Sequence, residues 1–522
     1  MKKYLWIVWL ILTVLTIFTR VYGIGWGLPF LFHPDERNMA VAASTLSFST
    51  MLDPHFYAYN QLPLYIVFFI NLITGVPLTV VRAVVLLRIL SAAASICTVY
   101  LWYRLLKKER MPLFVQILGV LFFIFTPAFI QFAHFGTTES LLIFLFLLCL
   151  LITDNPILLG IALGLSIATK ISAIQLFILP FLFIGTLVLK KKVSIKKVVH
   201  YIFLVTLLSF ATSVVFSPHL LLSYQQTVST LRYESAVGAG ALHVFYTQQF
   251  IGTKGVFFQL FSIFPYALGL PLLALCSVGF VYALYKKHLY SLYFFVLFLP
   301  SAFLYAKWVR FMIYSYVLLL FFAVLAVRVL YRNTFFKITV SIVLLFHVVI
   351  GAAFLRIYSF PDVRIRATDW IVRNIPQGSR ILTESANVTD LPLYFSEKYT
   401  IASLFLFDVQ INEMVRQQLV ASINASDYII VPSRRTFANS TCQLQKSDTV
   451  WKKCSIVEKR NPILSSYYRD LLSEKEYKLV AKITSFPRIT FGGRTFFSIP
   501  DEQAEETWTV FDHPVVRIYK KR

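Results

Sequence analysis

Acidic residues are scarce where this 522-residue chain is most apolar: residues 1–355 hold seven Asp+Glu against 25 Lys+Arg. Charged residues make up 14% of the whole and mean hydropathy is +0.70. A soluble globular domain runs near 25% charged, so an ordinary cytosolic enzyme is excluded. The net charge of +24 does not indicate nucleic acid either, because it is unevenly spread: +18 over 1–355 and +6 over 356–522. Cationic loops between apolar runs, followed by a tail of near-ordinary composition, describe a membrane domain (1–355) and a soluble domain (356–522). Five cysteines are too few for a disulfide scaffold. Internal repeats and low-complexity segments are missing, and the apolar runs carry almost no central acids, which counts against a lipid or solute transporter.

A helix needs roughly 20 apolar residues to cross a bilayer. Runs of that kind lie near 4–22, 84–106, 113–132, 138–153, 156–170, 172–189, 198–216, 260–285, 290–306, 311–327 and 338–355, giving about eleven predicted spans. The first has the basic start of a signal peptide but no small-residue cleavage site, so it reads as an uncleaved anchor. The stretch 63–75 is too short to cross and suits an interfacial or re-entrant position. With eleven crossings, 16 of the 25 basic residues of 1–355 fall on one side, which the positive-inside rule makes the cytoplasm. The same parity puts Lys170 at an outer turn and the tail outside the cytoplasm. The protein is then a multi-pass plasma-membrane protein with an extracytoplasmic site. A helical stretch, Asp369 to Asn374, and strand-like runs, Tyr428 to Val431 and Val515 to Tyr519, make the tail a small α/β domain. Cys442 and Cys454 lie together there, free or bridged, while Cys97, Cys149 and Cys276 sit in apolar spans as packing residues. Asn387, Asn424 and Asn439 begin glycosylation triplets, a pattern common by chance.

The seven acids of the membrane domain are Asp35, Glu36, Asp53, Glu109, Glu139, Asp154 and Glu234. Glu109 and Asp154 fall in short cytoplasmic turns; the other five are predicted on the outer side. Carboxylates beside lipid are costly unless they face a polar cavity, so an outer polar site is expected. The first outer loop, 23–83, opens with Phe32-His33-Pro34-Asp35-Glu36-Arg37. Paired carboxylates suit general-base work, and their repulsion raises one pKa. The same residues also suit a helix start, where acids favour the positive end of the helix.

His33-Pro34-Asp35-Glu36, after one N-terminal span, resembles the acidic-pair motif of GT-C membrane glycosyltransferases. The closest branch, family 39-like, groups protein O-mannosyltransferases with lipid A aminoarabinose transferases. Four other segments are similar to that branch in order: Phe132 to Ser140, carrying Glu139; Ala168-Thr-Lys170; Lys307-Trp-Val-Arg310; and the tail's Phe511 to Tyr519. The Trp-Trp-Asp segment of the oligosaccharyltransferase branch is missing, which disfavours transfer of whole oligosaccharides to Asn. The resemblance implies a polyprenyl-phosphate sugar donor and inverting transfer of a monosaccharide on the outer face. Asp35 would be the base, Glu36 its assistant and Glu139 a further acid of the pocket.

A phosphate leaving group needs fixed positive charge beside it. Lys170, Arg88, Lys307 and Arg310 all lie at predicted outer ends and are the candidate donor-phosphate ligands, with interfacial snorkelling as the competing reading. The loop 217–259, with Tyr233 and Glu234, can lid a cavity and meet sugar hydroxyls. His33 and His134 complete the candidate pocket. The outer histidines show no ligand spacing such as His-x3-His, so the reading takes no metal. The partners expected are the lipid-linked donor, the bilayer and a protein, lipid or glycan acceptor, with no nucleic acid. The alternatives are a non-enzymatic envelope assembly or sensor protein, and a transporter.

Overall fold

The computed structural model describes residues 4–331, 333–385, 390–393, 396–441 and 453–522. The first two-thirds is helical: α1 (Leu5–Val21), α2 (Pro34–Ser44), α3 (Leu62–Thr74), α4 (Val80–Lys108), α5 (Leu113–Phe125), α6 (Pro127–His134), α7 (Glu139–Leu151), α8 (Pro156–Thr169), α9 (Ile178–Leu189) and α10 (Ile195–Phe216). There follow α11 (His219–Leu222), α12 (Tyr224–Ala239), α13 (Phe264–Ala267), α14 (Leu270–Tyr285), α15 (Leu289–Phe303), α16 (Ile313–Leu330) and α17 (Thr334–Leu355). Among the described residues, five helices are long and apolar enough to cross a membrane, or seven if each of two bent pairs is one span. This is a multi-pass membrane chain. The expected count of about eleven is not reached by length alone, because α1, α7, α8 and α15 are apolar but have 13–17 residues. Two predicted straight spans are bent: α5–α6 by 52° before Pro127, and the 259–285 run by 114° at Gly269. The 62–74 run is a short helix, α3, as expected of a segment too short to cross.

The pattern of burial follows from composition. α16 is apolar on every face and buried along nearly its whole length, as a central helix must be. α14 lies directly on it: a Cβ on Gly279 would sit 1.7 Å from the Phe322 carbonyl oxygen, so only glycine permits that approach. α10 buries only Tyr201, Val205, Ser209 and Ser213 and turns its other apolar side chains outward. Cys149 and Cys276 are buried as packing residues, but Cys97 is exposed on α4, a correction to its expected packing role.

The tail starts with α18 (Val363–Asn374) and forms a five-stranded sheet in the order β2-β1-β3-β7-β4. Its strands are β1 (Arg380–Ser385), β2 (Thr400–Phe405), β3 (Tyr428–Val431), β4 (Tyr477–Ile483) and β7 (Val516–Lys521); β5 (Arg488–Phe491) and β6 (Arg494–Ser498) form a separate hairpin. β1 runs parallel to β2 and β3, while β7 is antiparallel to β3 and β4. Strands β3 and β7 and helix α18 match the runs expected from sequence. Asn387, Cys442 and the Cys454 side chain lie outside the described residues. Asn424 is exposed, but Asn439 is buried and its amide donates to the Phe245 carbonyl at 3.3 Å, so the third glycosylation triplet is packed into the fold.

Most of the tail packs around its own sheet, but residues 501–513 do not. Ala504, Trp508, Val510 and Phe511 join the apolar core of the helical part. Glu505 donates its N–H to the Ser262 carbonyl at 2.8 Å, and its carboxylate accepts from Gln249 at 2.8 Å and from the Val309 N–H at 3.2 Å. Gln131 donates to the Trp508 carbonyl at 2.8 Å, and Tyr358 donates to Asp512 at 2.7 Å.

Candidate active site

The acidic motif begins a helix, as one of its two sequence readings required. His33 is the N-cap of α2: its Nδ1 accepts the Glu36 N–H at 3.3 Å, and Pro34 takes the first helical position. Burial lowers the His33 pKa. Consecutive helical residues point about 100° apart. Asp35 and Glu36 therefore leave the helix in different directions and meet different partners.

Glu36 is fully buried in a bidentate pair with Arg88, whose Nε and Nη2 donate to it at 2.8 and 2.7 Å. The Gly136 N–H adds a third bond to the carboxylate at 2.7 Å. Arg88 Nη1 donates to the Ile24 and Trp26 carbonyls at 2.8 Å each, and its guanidinium lies 4.4 Å from the Trp26 ring. Gly136 is needed for this approach, because a Cβ there would come within 2.8 Å of Leu87 Cβ and 3.1 Å of the Glu36 carboxylate. All these donors and acceptors are used within the protein. Glu36, expected to assist Asp35, is thus turned onto Arg88, and Arg88, expected at a phosphate, has each guanidinium nitrogen bonded within the protein.

Asp35 faces the other way, into a cluster of charges. It pairs with Arg310, and the Tyr59 hydroxyl nearby favours its charged form. Burial alone would raise its pKa; the Arg310 guanidinium, with His33, Tyr59 and Lys170 adding, outweighs that and holds the carboxyl below its usual range. The predicted rise from carboxylate repulsion is therefore reversed, because Glu36 has its own counter-ion. Glu139 opens α7, and Lys170 follows α8 in extended conformation, with its Nζ 3.6 Å from Glu139 and 4.7 Å from the Tyr59 ring. The Asn60 N–H donates to the Thr169 carbonyl at 3.3 Å, which fixes the Tyr59 loop against the end of α8. Glu234, exposed on α12, feels the charges of Arg310, Asp35 and Lys170. The fold thus gathers Asp35, Glu139, Lys170, Arg310 and Glu234 from five separate segments.

The remaining candidates stand apart. Lys307 is buried, donates to the Tyr305 carbonyl at 3.0 Å, and has no carboxylate within 4.0 Å among the described residues. Burial lowers its pKa to about 8. Tyr233 is exposed, with its hydroxyl near that of Tyr246. His33 is enclosed by the rings of Phe135 and Phe511, with centroids 4.5 and 4.4 Å away. Both nitrogens of His134 lie 2.8 Å from backbone carbonyls, those of Ile130 and Tyr22, and its ring stacks on Tyr358 at 3.9 Å. Both histidines, expected in the pocket, are buried among protein groups. Among the described residues, no three His, Cys, Asp or Glu side chains gather to hold a metal ion.

Two groups escaped the sequence reading. Tyr59 touches both Asp35 and Lys170, and its only signal was a polar run, Tyr59-Asn60-Gln61, before an apolar helix. The buried charges Asp501, Glu505, Glu506, Asp512 and His513 lie in the tail segment that packs against the helices; their signal was a density of acids that an exposed loop also shows.

No protein-family model matches the chain. No curated protein matches it either. Among solved structures it is similar to ArnT from Cupriavidus metallidurans in the apo state, at 11% identity and TM-score 0.47, over 99% of this chain and 98% of that one. The same protein bound to undecaprenyl phosphate gives 11% and 0.46, over 98% of each chain. The S. cerevisiae protein O-mannosyltransferase Pmt1-Pmt2 complex bound to the sugar donor gives 17% and 0.33, over 44% of this chain. The chain spans about a third of that last relative's length.

Proposed function

We propose that the protein is a membrane glycosyltransferase that moves a monosaccharide from a polyprenyl-phosphate donor to an acceptor on the extracytoplasmic face, with inversion. The observation that carries this reading is the convergence of two carboxylates, Asp35 and Glu139, with two cations, Arg310 and Lys170, in a chain that has few charges to place. Such a site can take a proton from one side of a reaction and hold a phosphate on the other. Asp35 removes the proton from an acceptor hydroxyl or amine as that atom attacks the anomeric carbon. The bond from that carbon to the phosphate oxygen breaks, and polyprenyl phosphate leaves with its negative charge held by Lys170 and Arg310. Lys307, a buried cation without a carboxylate beside it among the described residues, is available to a further anionic oxygen. Glu139 keeps Lys170 in place, and Glu234 stands on the acceptor side.

This reading takes the shorter apolar helices α1, α7, α8 and α15 as crossing too. They bring the count to eleven and place the site and the tail outside the cytoplasm.

The test is consumption of polyprenyl-phosphate hexoses, followed by mass spectrometry, by purified wild type and Asp35→Asn in detergent with an envelope extract as acceptor. Wild type is expected to consume one donor of the panel, and the variant to be slower by roughly 10²–10⁴-fold, the usual contribution of a general base. Equal consumption by both proteins removes Asp35 from the chemistry. Failure of wild type across the panel, with no donor binding, favours an assembly or sensor role.

A further inference from the structure

Two carboxylate–guanidinium pairs begin from adjacent residues of α2, and they are built differently. Glu36–Arg88 is sealed: both side chains are 0% exposed, and three guanidinium nitrogens share four bonds. Asp35–Arg310 is open: its side chains are 22% and 23% exposed, and a single nitrogen, Nη1, meets a single carboxylate oxygen. Arg310 Nε is buried and finds no hydrogen-bond partner among the described residues. Half of the guanidinium fork is therefore unused, at a cost for a desolvated donor. A phosphate, with two unesterified oxygens, can take the Nη1–Nη2 end of the fork bidentately, which requires the Asp35 oxygen to leave Nη1.

The backbone around Arg310 is held in place by its neighbours. The Val309 N–H is held by Glu505, and Trp308 is buried with its ring 4.9 Å from the guanidinium. The side chain can therefore change partner by rotation about its own bonds, without movement of α16.

We infer that Asp35 and the phosphate of the lipid-linked donor compete for Arg310, so that the donor binds first and its arrival releases Asp35 to act on the acceptor. This rests on the glycosyltransferase reading and adds to it an order of binding. While Arg310 holds Asp35, the carboxylate is a poor base and is screened from the acceptor. Once the phosphate takes the guanidinium, Asp35 keeps only the Tyr59 hydroxyl and the more distant Lys170, and becomes the stronger base. The exchange forms and breaks no covalent bond; one anion replaces another on the same cation.

The test is a double-mutant cycle on the affinity for polyprenyl phosphate, used as the probe in detergent, with wild type, Asp35→Asn, Arg310→Gln and the double variant. If Asp35 occupies Arg310 about nine-tenths of the time, its removal tightens binding about tenfold. That gain is expected to vanish in the Arg310→Gln background. An unchanged or weaker affinity in Asp35→Asn overturns the exchange. So does an equal gain with and without Arg310, since simple repulsion between carboxylate and phosphate then accounts for it. Asp35→Ser completes the same cycle if the asparagine variant does not fold. Wild type that fails to bind polyprenyl phosphate sinks the donor reading and the exchange together. Binding by wild type with no coupling in the cycle sinks the exchange alone.

Discussion

At the scale of single residues, neighbours in sequence carry unlike chemistry. Asp35 and Glu36 were both legible as candidates, because a carboxylate in so apolar a sequence needs a reason. What separates them is a rotation of about 100° along α2, and the sequence does not show which residue each then meets. Asp35 ionises below the usual carboxylate range because Arg310 outweighs its burial. The acid limb of kcat/KM, which reports the free enzyme, is therefore expected below about pH 4. The limb of kcat is expected at higher pH, since the bound donor draws Arg310 away; a pH–rate series on both parameters checks this, and coincident limbs contradict it. Glu36→Gln or Arg88→Met strands one buried partner, and each is expected to cost about 3–5 kcal/mol of stability. Thermal unfolding in detergent reads that loss, and a melting temperature within a degree of wild type rules out the structural role.

At the scale of elements, a break in a helix decides where the site's supports stand. α5 stops at Phe125, and Pro127 starts α6 at 52° to it. The carbonyls left without partners at this bend are met by Arg20, near the end of α1: its Nη1 donates to Ile124 O at 2.8 Å and its Nη2 to Phe123 O at 3.1 Å, while Nε bonds Ser95 at 2.9 Å. In the sequence Arg20 marks only the end of the first apolar run, and nothing local ties it to residues a hundred positions away. Arg20→Met is expected to destabilise by about 1–3 kcal/mol for each carbonyl left unpaired. Donor affinity measured well below the melting temperature is expected to stay near wild type, because Arg20 does not touch the charge cluster. A large affinity loss without a change in melting assigns Arg20 to the site instead.

At the scale of the whole molecule, the tail is tied into the helical part by buried charge. His513 lies between Asp512, on Nδ1, and Asp501, 2.9 Å from Nε2. Burial alone would lower its pKa, but the two carboxylates reverse that and raise it to about 10. A folded-state pKa above the unfolded value of about 6.5 stabilises fully below pH 6.5 and is lost as pH rises towards 10. Between those limits the folded chain holds one proton more, so stability falls by roughly 1.4 kcal/mol per pH unit from this group. A melting series from pH 6 to 10 is expected to show the fall in wild type and a flatter course in His513→Gln. Parallel curves show that the imidazolium does not hold the tail in place. The same segment reaches the charge cluster twice, through Phe511 on His33 and Glu505 on the Val309 N–H.

Local sequence properties already settle the membrane class, two strand runs and one helix of the tail, and the small set of charges from which a site is made. Apolar length and the cost of a charge beside lipid are local properties, written residue by residue. Only the tertiary structure decided which charges meet. It paired Glu36 with Arg88 and Asp35 with Arg310, brought Tyr59 between Asp35 and Lys170, closed His134 onto two carbonyls, and buried residues 501–513 against the helices. Those outcomes depend on helix rotation, on where a helix bends, and on contacts between segments up to several hundred residues apart. A side chain's composition and spacing carry none of these, because its partner's position is fixed by the packing of the whole chain.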